Sequence, residues 1–568
     1  MQRQEIIATY EQDPRVDVLI IGGGINGIGT FLDLALQGAS VLMVDKADFS
    51  SGSSAASSRL VHGGLRYLEH GSFGLVRESL IERNRLFVNA PHAVMPLPFT
   101  IPIFSRFSGM LNAPLKFVRL LKKPSERGWL VVKLGMIFYD WFTRGFRVTP
   151  THRMLSRAEA LKKHPTLNPA IKGAAYYYDG IMPYAERISL ELIMDAEASS
   201  EQAHALNYVS LAGVNRETVT LRDEMSGSTF AVRPCVVINA AGAWIDLVNG
   251  TLRHKTRYIG GTKGSHIIVE HPELWRTLDG GAIYFEHKDG RMCIMLPLGD
   301  KVIVGATDLR IDDPDEAVCS DEEIDYFLHF TEHVLPGLAL DRSQIVFHFS
   351  GVRPLANTDQ EFTGLVTREH SIQVLEPDQE HAFPVYSLIG GKWTTFRSFA
   401  EEATDKALAF LGRARRTNTE NLAIGGGKAY PRGEKEQAAW LARAQAQTGV
   451  ALPRLQTLFA RYGTRAEVVA QYIAAGEDAP LDDAPDYSQR ELLFLVEHEK
   501  VAHLDDLLLR RTLLAMLGLV TGGVLRQAGQ IMGSARGWSA EQVEAEIQRT
   551  KDILVKRHGV PEERLRSE

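Results

Sequence analysis

The chain has 568 residues, 45% hydrophobic and 23% charged, with a net charge of −7. That length and composition fit two or three globular domains with ample core, and the acidic balance argues against a general nucleic-acid binder. The three cysteines, Cys235, Cys293 and Cys319, form no C-x-x-C pair, so neither a disulfide framework nor a zinc site is expected and a reducing compartment is.

Met1 to Pro14 is polar and lacks the apolar core of a signal peptide. No run of about 18 unbroken apolar residues predicts a membrane-spanning helix. Asp17 to Gly29 then reads D-V-L-I-I-G-G-G-I-N-G-I-G. Val18 to Ile21 is the short β-branched run of a buried parallel strand. Gly22, Gly24 and Gly27 follow at the spacing that lets a tight turn, a close backbone approach to a pyrophosphate and a close helix–strand contact succeed one another. Thr30 to Gln37 predicts a helix whose N-terminus faces the phosphates. Ser40 to Val44 predicts a second strand ending at Asp45, an acid placed about 20 residues on to take a ribose 2′-hydroxyl and repel a 2′-phosphate. The order of strand, glycines, helix, strand and acid predicts a dinucleotide site.

Ser50 to Glu69 is rich in serine and alanine and ends in Arg59, His62, paired glycines, Arg66 and Tyr67. Small residues followed by clustered donors suit a loop facing cofactor and substrate better than a linker. Ser72 to Asn89 predicts an amphipathic helix. Between Ile101 and Pro150 nine Lys/Arg stand against two acids, interleaved with bulky apolar and aromatic residues. Such a stretch, centred on Phe104 to Arg147, suits either a segment lying in a membrane interface or an internal helical hairpin with a solvated basic face. Ser189 to His204 predicts a helix. Asn207 to Val214, Thr218 to Arg222 and Thr229 to Val232 predict a meander, and Pro234 to Ala243 an apolar strand returning to the central sheet. Lys263 to Val269, Ala282 to Glu286, Met292 to Leu296 and Val302 to Ala306 predict an antiparallel sheet over the cofactor. Asp312 to Leu335 is acidic and then helical. Val385 to Leu388 runs into Gly390-Gly391-Lys392 and a helix from about Thr394 to Leu411, a second strand–glycine–helix junction. From Asn418 the composition changes, and Lys435 to Gln447, Leu452 to Tyr462, Ala466 to Ala474, Ser488 to Glu499, Leu507 to Met532 and Ala540 to Lys556 show helical periodicity. No catalytic cluster stands out there, and a surface helix explains Glu497, His498 and His503 better than a metal site does. This part reads as a domain for packing, dimerisation or partner binding.

An interleaved extra sheet suits FAD held extended across a domain. Arg59, Arg66, Lys263, Arg353, Arg368 and Lys392 are more cations than one carboxylate needs and suggest a phosphorylated or dianionic substrate. His62 and His266 lie in glycine-flanked stretches, and either could take a hydroxyl proton.

Seven segments carry a resemblance: I-G-G-G-I-N-G-I-G (Ile21 to Gly29), S-S-R-L-V-H-G-G-L-R-Y-L-E-H (Ser57 to His70), N-A-A-G-A-W (Asn239 to Trp244), K-G-S-H-I (Lys263 to Ile267), G-A-T-D (Gly305 to Asp308), S-G-V-R-P-L (Ser350 to Leu355) and G-G-K-W-T-T-F-R (Gly390 to Arg397). The chain closely resembles the FAD-dependent (aerobic) glycerol-3-phosphate dehydrogenases, within the D-amino-acid-oxidase-like flavoproteins. The resemblance implies an α/β fold: a discontinuous Rossmann-like FAD-binding domain with an interleaved antiparallel cap sheet over residues 1–415, and an all-helical domain over 416–568. It implies that sn-glycerol 3-phosphate gives up a hydride from C2 and becomes dihydroxyacetone phosphate, with electrons passed to a membrane quinone, at the inner face of the cell membrane. Carried onto this chain, Gly22, Gly24, Gly27, Asp45, Ser57, Ser58, His62, Gly63, Gly64, Ala241, Gly242, Gly391, Lys392 and Thr394 hold FAD. Arg66, Tyr67, Arg368 and Lys392 hold the phosphate end, Arg353 polarises the developing carbonyl oxygen, and His266, then His62, is the base. No metal is implied. The stretch Phe104 to Arg127 is an insertion relative to many members. Two alternatives are a flavin oxidase passing electrons from an amine or hydroxy acid to oxygen, and a silent flavoprotein scaffold. No motif sets the electron acceptor, covalent attachment of FAD or a homodimer.

Overall fold

The computed structural model describes residues 2–106, 128–286, 291–358 and 368–566, apart from the side chains of residues 66, 69 and 70. Most of the basic-apolar insertion, residues 107–127, therefore lies outside the described residues.

The first layer is a sheet ordered Ser371–Leu375, Val385–Ile389, Thr229–Asn239, Arg15–Ile21, Val41–Val44, Ala203–Leu206. All neighbours run parallel except the edge strand Ser371–Leu375. Val18, Leu19 and Ile20 have no exposed surface, as a strand covered on both faces requires. Val18 and Ile20 pack with Phe31 of helix Ile25–Leu36, Ile188 of Ala185–Ser199 and Phe399 of Phe396–Phe410. Leu19 and Ile21 turn to the other face, where Val219, Leu221 and Phe230 join Ile6 and Ile7 of the helix Arg3–Gln12. A run that reads as continuously apolar thus serves two cores by alternation.

The expected break between Val232 and Pro234 is absent. Thr229–Asn239 is one strand that changes partner after Val232: Thr229 to Val232 pairs antiparallel with Thr218–Asp223, and from Arg233 on it pairs parallel with Arg15–Ile21. Proline, lacking an N–H, stands near the crossing point. Two helix boundaries also move. The helix after the glycines starts at Ile25, directly behind Gly24, and the helix expected over Ser189 to His204 runs Ala185–Ser199, with Ala203 and His204 opening the strand Ala203–Leu206 instead.

The second layer is ordered Leu309–Arg310, Thr262–Val269, Lys301–Gly305, Met292–Leu298, Ala282–Glu286, Met95–Ile103, Gly173–Ile181, Leu60–Val61, with Ile345–Arg353 also on Thr262–Val269. Among the described pairings it is antiparallel except where Ala282–Glu286 meets Met95–Ile103. Met95–Ile103 carries Pro96, Pro98 and Pro102, an even number of residues apart, so the N–H groups they lack fall on one edge. Along the other edge Met95–Ile103 pairs with Gly173–Ile181 over its whole length.

The C-terminal part carries helices Glu434–Thr448, Leu452–Tyr462, Ala466–Ala474, Gln489–His498, Gly522–Arg536 and Ala540–His558, plus an unexpected hairpin, Pro480–Leu481 with Ala484–Ser488. The predicted helix Leu507 to Met532 is not continuous. A π-helical turn covers Leu507–Arg511, and helix resumes only at Gly522. Gly518 has φ +67° and packs against Val346, where a Cβ would stand 2.8 Å away. The periodicity is real in burial, but the segment bends around a strand of the other domain.

Candidate active site

The carboxyl ends of the parallel strands face the second sheet across a cleft of about 1220 Å³. Its floor is the glycine loop. Gly22 has φ +113°, and a Cβ there would lie 2.5 Å from the Ala240 carbonyl oxygen. A Cβ on Gly27 would lie 2.0 Å from the Gly22 oxygen, so helix and strand touch through that residue. A Cβ on Gly24 would meet only Ser54 Oγ, at 3.4 Å, and would fill the cleft itself. Asn26 Oδ1 and Ser50 Oγ, on residues lining the cleft, are buried without a partner among the described residues. Asp45 Oδ2 accepts the Gly23 N–H at 2.7 Å and Oδ1 that of Ala47 at 2.9 Å; burial raises its carboxyl to about 6. An open cradle, two helix N-termini, orphaned polar atoms and an acid at the second strand's end fit an extended dinucleotide.

Of the expected cofactor residues, Gly22, Gly24, Asp45, Ser57, Ser58, His62, Ala241, Gly242, Gly391, Lys392 and Thr394 line this cleft. Gly27, Gly63 and Gly64 stand behind the wall. A Cβ on Gly63 would strike Leu80 and Tyr139, and Gly64, at φ +75°, ends the loop before the turn Leu65–His70. Arg66 lies on that turn, with its side chain outside the described residues.

The substrate side is cationic. Arg353 Nη1 is 3.0 Å from Asp308 Oδ1, and Arg368 Nη2 is 3.5 Å from Asp308 Oδ2. One carboxylate thus sets both guanidiniums. Asp308 ends the G-A-T-D motif, and its role has no local signal because only the fold brings residue 368 to it. Gly264 makes room for the Arg353 guanidinium: a Cβ there would be 2.1 Å from Arg353 Nη2. Lys392 Nζ donates to the His62 carbonyl at 3.0 Å and to Ser79 Oγ at 2.9 Å, and sits 5.0 Å from the centroid of the Tyr67 ring. Burial brings its ammonium down to about 7.

Two expected cations are engaged elsewhere. Arg59 is 1% exposed and forks onto Glu186, with Nη2–Oε1 at 2.6 Å. Lys263 Nζ lies 2.8 Å from Glu323 and donates to the Val318 carbonyl. Neither lines the cleft. Their acid partners are far away in sequence, which local reading does not reach.

The two histidines differ. His266 stacks on Phe349 at 4.9 Å, its Nε2 is 2.7 Å from Ser58 Oγ, and its Nδ1 is buried without a partner. Burial, with Arg353 and Arg59 nearby, pushes its pKa down to about 3. His62 lines the cleft as well, and its ring has no hydrogen bond among the described residues; burial, Lys392, Arg83 and Arg368 hold its pKa well below the ordinary value. Its loop is pinned from behind. The Gly63 N–H donates to Tyr139 Oη at 3.0 Å and Asp179 Oδ1 at 3.2 Å, and Arg83 pairs with Asp179 at 2.8 Å.

The C-terminal helices also close the cleft, which sequence reading missed. Leu509, Arg510, Arg549 and His558 line it. Arg510 and Arg511 reach Asp48 behind the loop Ser50 to Glu69, at 2.5 and 2.6 Å. The signal was present: twin arginines inside L-L-L-R-R-T-L-L require a buried acid. Glu497, His498 and His503 form no cluster. His498 is half exposed, and His503 bonds Glu546 at 2.8 Å.

The chain matches the family of FAD dependent oxidoreductases over residues 17–391, and the C-terminal domain of alpha-glycerophosphate oxidase over 417–543. It is 36% identical to a glycerol-3-phosphate dehydrogenase of Synechocystis, covering 96% of this chain and 97% of that one. It is 31% identical to a D-erythritol 1-phosphate dehydrogenase of Brucella abortus, over 87% and 94%. In structure it is similar to a glycerol-3-phosphate dehydrogenase of Bacillus halodurans complexed with FAD, with a TM-score of 0.75 over 97% of both chains at 24% identity.

Proposed function

The chain belongs to the FAD-dependent oxidoreductases, in the glycerol-3-phosphate dehydrogenase family, and on that premise we propose that it oxidises sn-glycerol 3-phosphate to dihydroxyacetone phosphate at a membrane surface. Its cofactor FAD, when bound, supplies the hydride acceptor for C2, with a membrane quinone as the onward acceptor. The observation that carries the reading is the convergence of Arg353, Arg368 and Lys392 on one cleft beside an imidazole held neutral. Arg66, Tyr67, Arg368 and Lys392 hold the phosphate end. Arg353, kept in place by Asp308, faces the C2 oxygen and stabilises the charge that develops there. His62 takes the hydroxyl proton on a ring nitrogen. Both histidines line the cleft, and His62 is preferred because its ring has no hydrogen bond among the described residues, whereas His266 is tied to Ser58.

Adding glycerol 3-phosphate anaerobically to the yellow protein tests this. Bleaching of the visible flavin band by glycerol 3-phosphate, and not by glycerol or an amino acid, is the expected result. Bleaching by an amine or hydroxy acid alone would overturn it. Faster bleaching by D-erythritol 1-phosphate would move the substrate to a longer polyol phosphate.

Lys392 gives a pH signature. With a pKa near 7 the free enzyme loses this cation as pH rises above 7, while the phosphate ester, with a second pKa of about 6, is already dianionic. KM for glycerol 3-phosphate therefore rises up to about tenfold per pH unit above 7. In Lys392→Arg the guanidinium stays charged, and KM is flat over that range. A rise of equal slope in the variant excludes Lys392 as its source.

Membrane contact is proposed for helix Trp129–Phe142. It buries Val132, Met136 and Tyr139 but exposes Leu130, Leu134, Ile137, Phe138 and Trp141, the last at 62%. Lys133, Arg144 and Arg147 are on or just beyond it, as an interfacial helix on anionic lipid requires. Among the described residues no helix is long and apolar enough to cross a membrane. Leu134→Glu/Trp141→Glu is expected to cut binding to anionic vesicles at least about tenfold in flotation, with flavin bleaching unchanged. Unchanged flotation would move the contact elsewhere.

A further inference from the structure

None of the residues lining the cleft belongs to a second cluster, near the start of strand Val385–Ile389. His254 follows helix Ile245–Thr251, and Asp378 and His381 form the turn that leads into that strand. One ligand atom from each of His254, Asp378 and His381 lies within 4.8 Å of the other two.

Each side chain is aimed by a bond to its own neighbourhood. His381 is fully buried, and its Nδ1 donates to the Phe383 carbonyl at 2.7 Å. In the neutral ring this leaves Nε2 as a bare lone pair, and that atom is buried without a hydrogen-bond partner among the described residues. A carbonyl fixing one imidazole nitrogen so that the other can ligate is the usual outer support of a metal histidine. His254 Nε2 is likewise buried without a hydrogen bond, 3.2 Å from Asp378 Oδ2. Asp378 Oδ1 accepts the N–H groups of Glu380 and His381 at 2.8 and 3.2 Å, leaving Oδ2 for the imidazoles. The two rings stand 4.7 Å apart at 60°. His381 Nε2 is costly as it stands, His254 Nε2 touches the carboxylate without hydrogen-bond geometry, and one divalent cation would satisfy all three groups.

We propose that His254, Asp378 and His381 bind a divalent transition metal of the zinc class, with water as the fourth ligand. Zinc bonds of about 2.0–2.2 Å in tetrahedral geometry set ligand atoms roughly 3.4 Å apart. With His254 Nε2 and Asp378 Oδ2 already 3.2 Å apart and all three atoms within 4.8 Å, the widest gap must close by at most about 1.4 Å. The metal would tie the loop after helix Ile245–Thr251 to the base of the strand whose far end carries Gly390, Gly391 and Lys392. Its role is therefore support, and the cleft chemistry does not run through it.

The test is a calorimetric titration of chelator-treated, flavin-loaded full-length protein with zinc chloride, alongside His254→Ala/Asp378→Ala and a His498→Ala control. One zinc per chain is expected in the parent and control, with affinity at least a hundredfold weaker in the double variant at unchanged flavin content. No zinc uptake, or equal uptake by the double variant, would overturn the site. If the double variant loses flavin, X-ray absorption at the zinc edge of the parent decides. Two imidazole nitrogens with oxygen support the site, and sulfur or a single imidazole refutes it.

Discussion

His62→Asn is expected to lower kcat for glycerol 3-phosphate by about 10²- to 10⁴-fold, the range removed with a positioned general base, while KM changes only a few-fold. The split follows from position. His62 lines the cleft, its imidazole feels the charges of Lys392 and Arg368, and its backbone carbonyl, not the ring, accepts from Lys392. The substitution therefore removes a proton acceptor and leaves the phosphate contacts in place. Stopped-flow bleaching under anaerobic conditions reads the step directly. His266→Asn removes the bond to Ser58 and is expected to cost only about tenfold, since an indirect role displaces a neighbour rather than the acceptor. A larger loss from His266 than from His62 would reverse the two roles.

Asp48→Asn is expected to destabilise the folded chain by about 3–5 kcal/mol, the cost of leaving a buried ion unpaired. Asp48 has no exposed surface, and its carboxylate takes Arg510 Nε and two bonds from Arg511, at 2.6 and 2.9 Å. Burial alone would raise its pKa; the Arg511 and Arg510 guanidiniums outweigh that and hold it below the usual carboxylate range. Arg510 retains Asp505 and Asp506, but Arg511 has no other carboxylate among its bonds. Urea unfolding followed by flavin release and circular dichroism measures the loss. Removing both charges, in Asp48→Asn/Arg511→Met, is expected to recover most of it. A single-variant loss below about 1 kcal/mol would mean that water reaches Arg511.

Local signals carried the sequence reading far. Gly22, Gly27 and Asp45 sit inside one strand–helix–strand unit, with Gly27 against the Gly22 oxygen and Asp45 on the Gly23 N–H, so their spacing locates the floor of the cleft, although Gly22 also packs on the distant Ala240. The strand Met95–Ile103 escaped because three prolines mask a period of two. The break after Arg511 escaped because burial keeps helical periodicity where the backbone does not. Arg59 and Lys263 read as site cations because a charge advertises itself and its partner does not: Glu186 and Glu323 lie 127 and 60 residues on. Asp308 between Arg353 and Arg368, and Asp48 beneath Arg510 and Arg511, are the same case. They are pairings of a folded chain, with no trace in any short window.

The cleft wall includes both Gly22 and His558. At roughly 5–20 residues per second, a ribosome takes about half a minute to two minutes to make the chain between them. For that interval the glycine loop exists without its lid, and Asp48 waits for arginines not yet synthesised. The nucleotide sheet is incomplete as well, since Ser371–Leu375 and Val385–Ile389 are the last of its strands to emerge. A chain truncated before Arg510 would keep every glycine of the fingerprint yet lack the wall that closes over it.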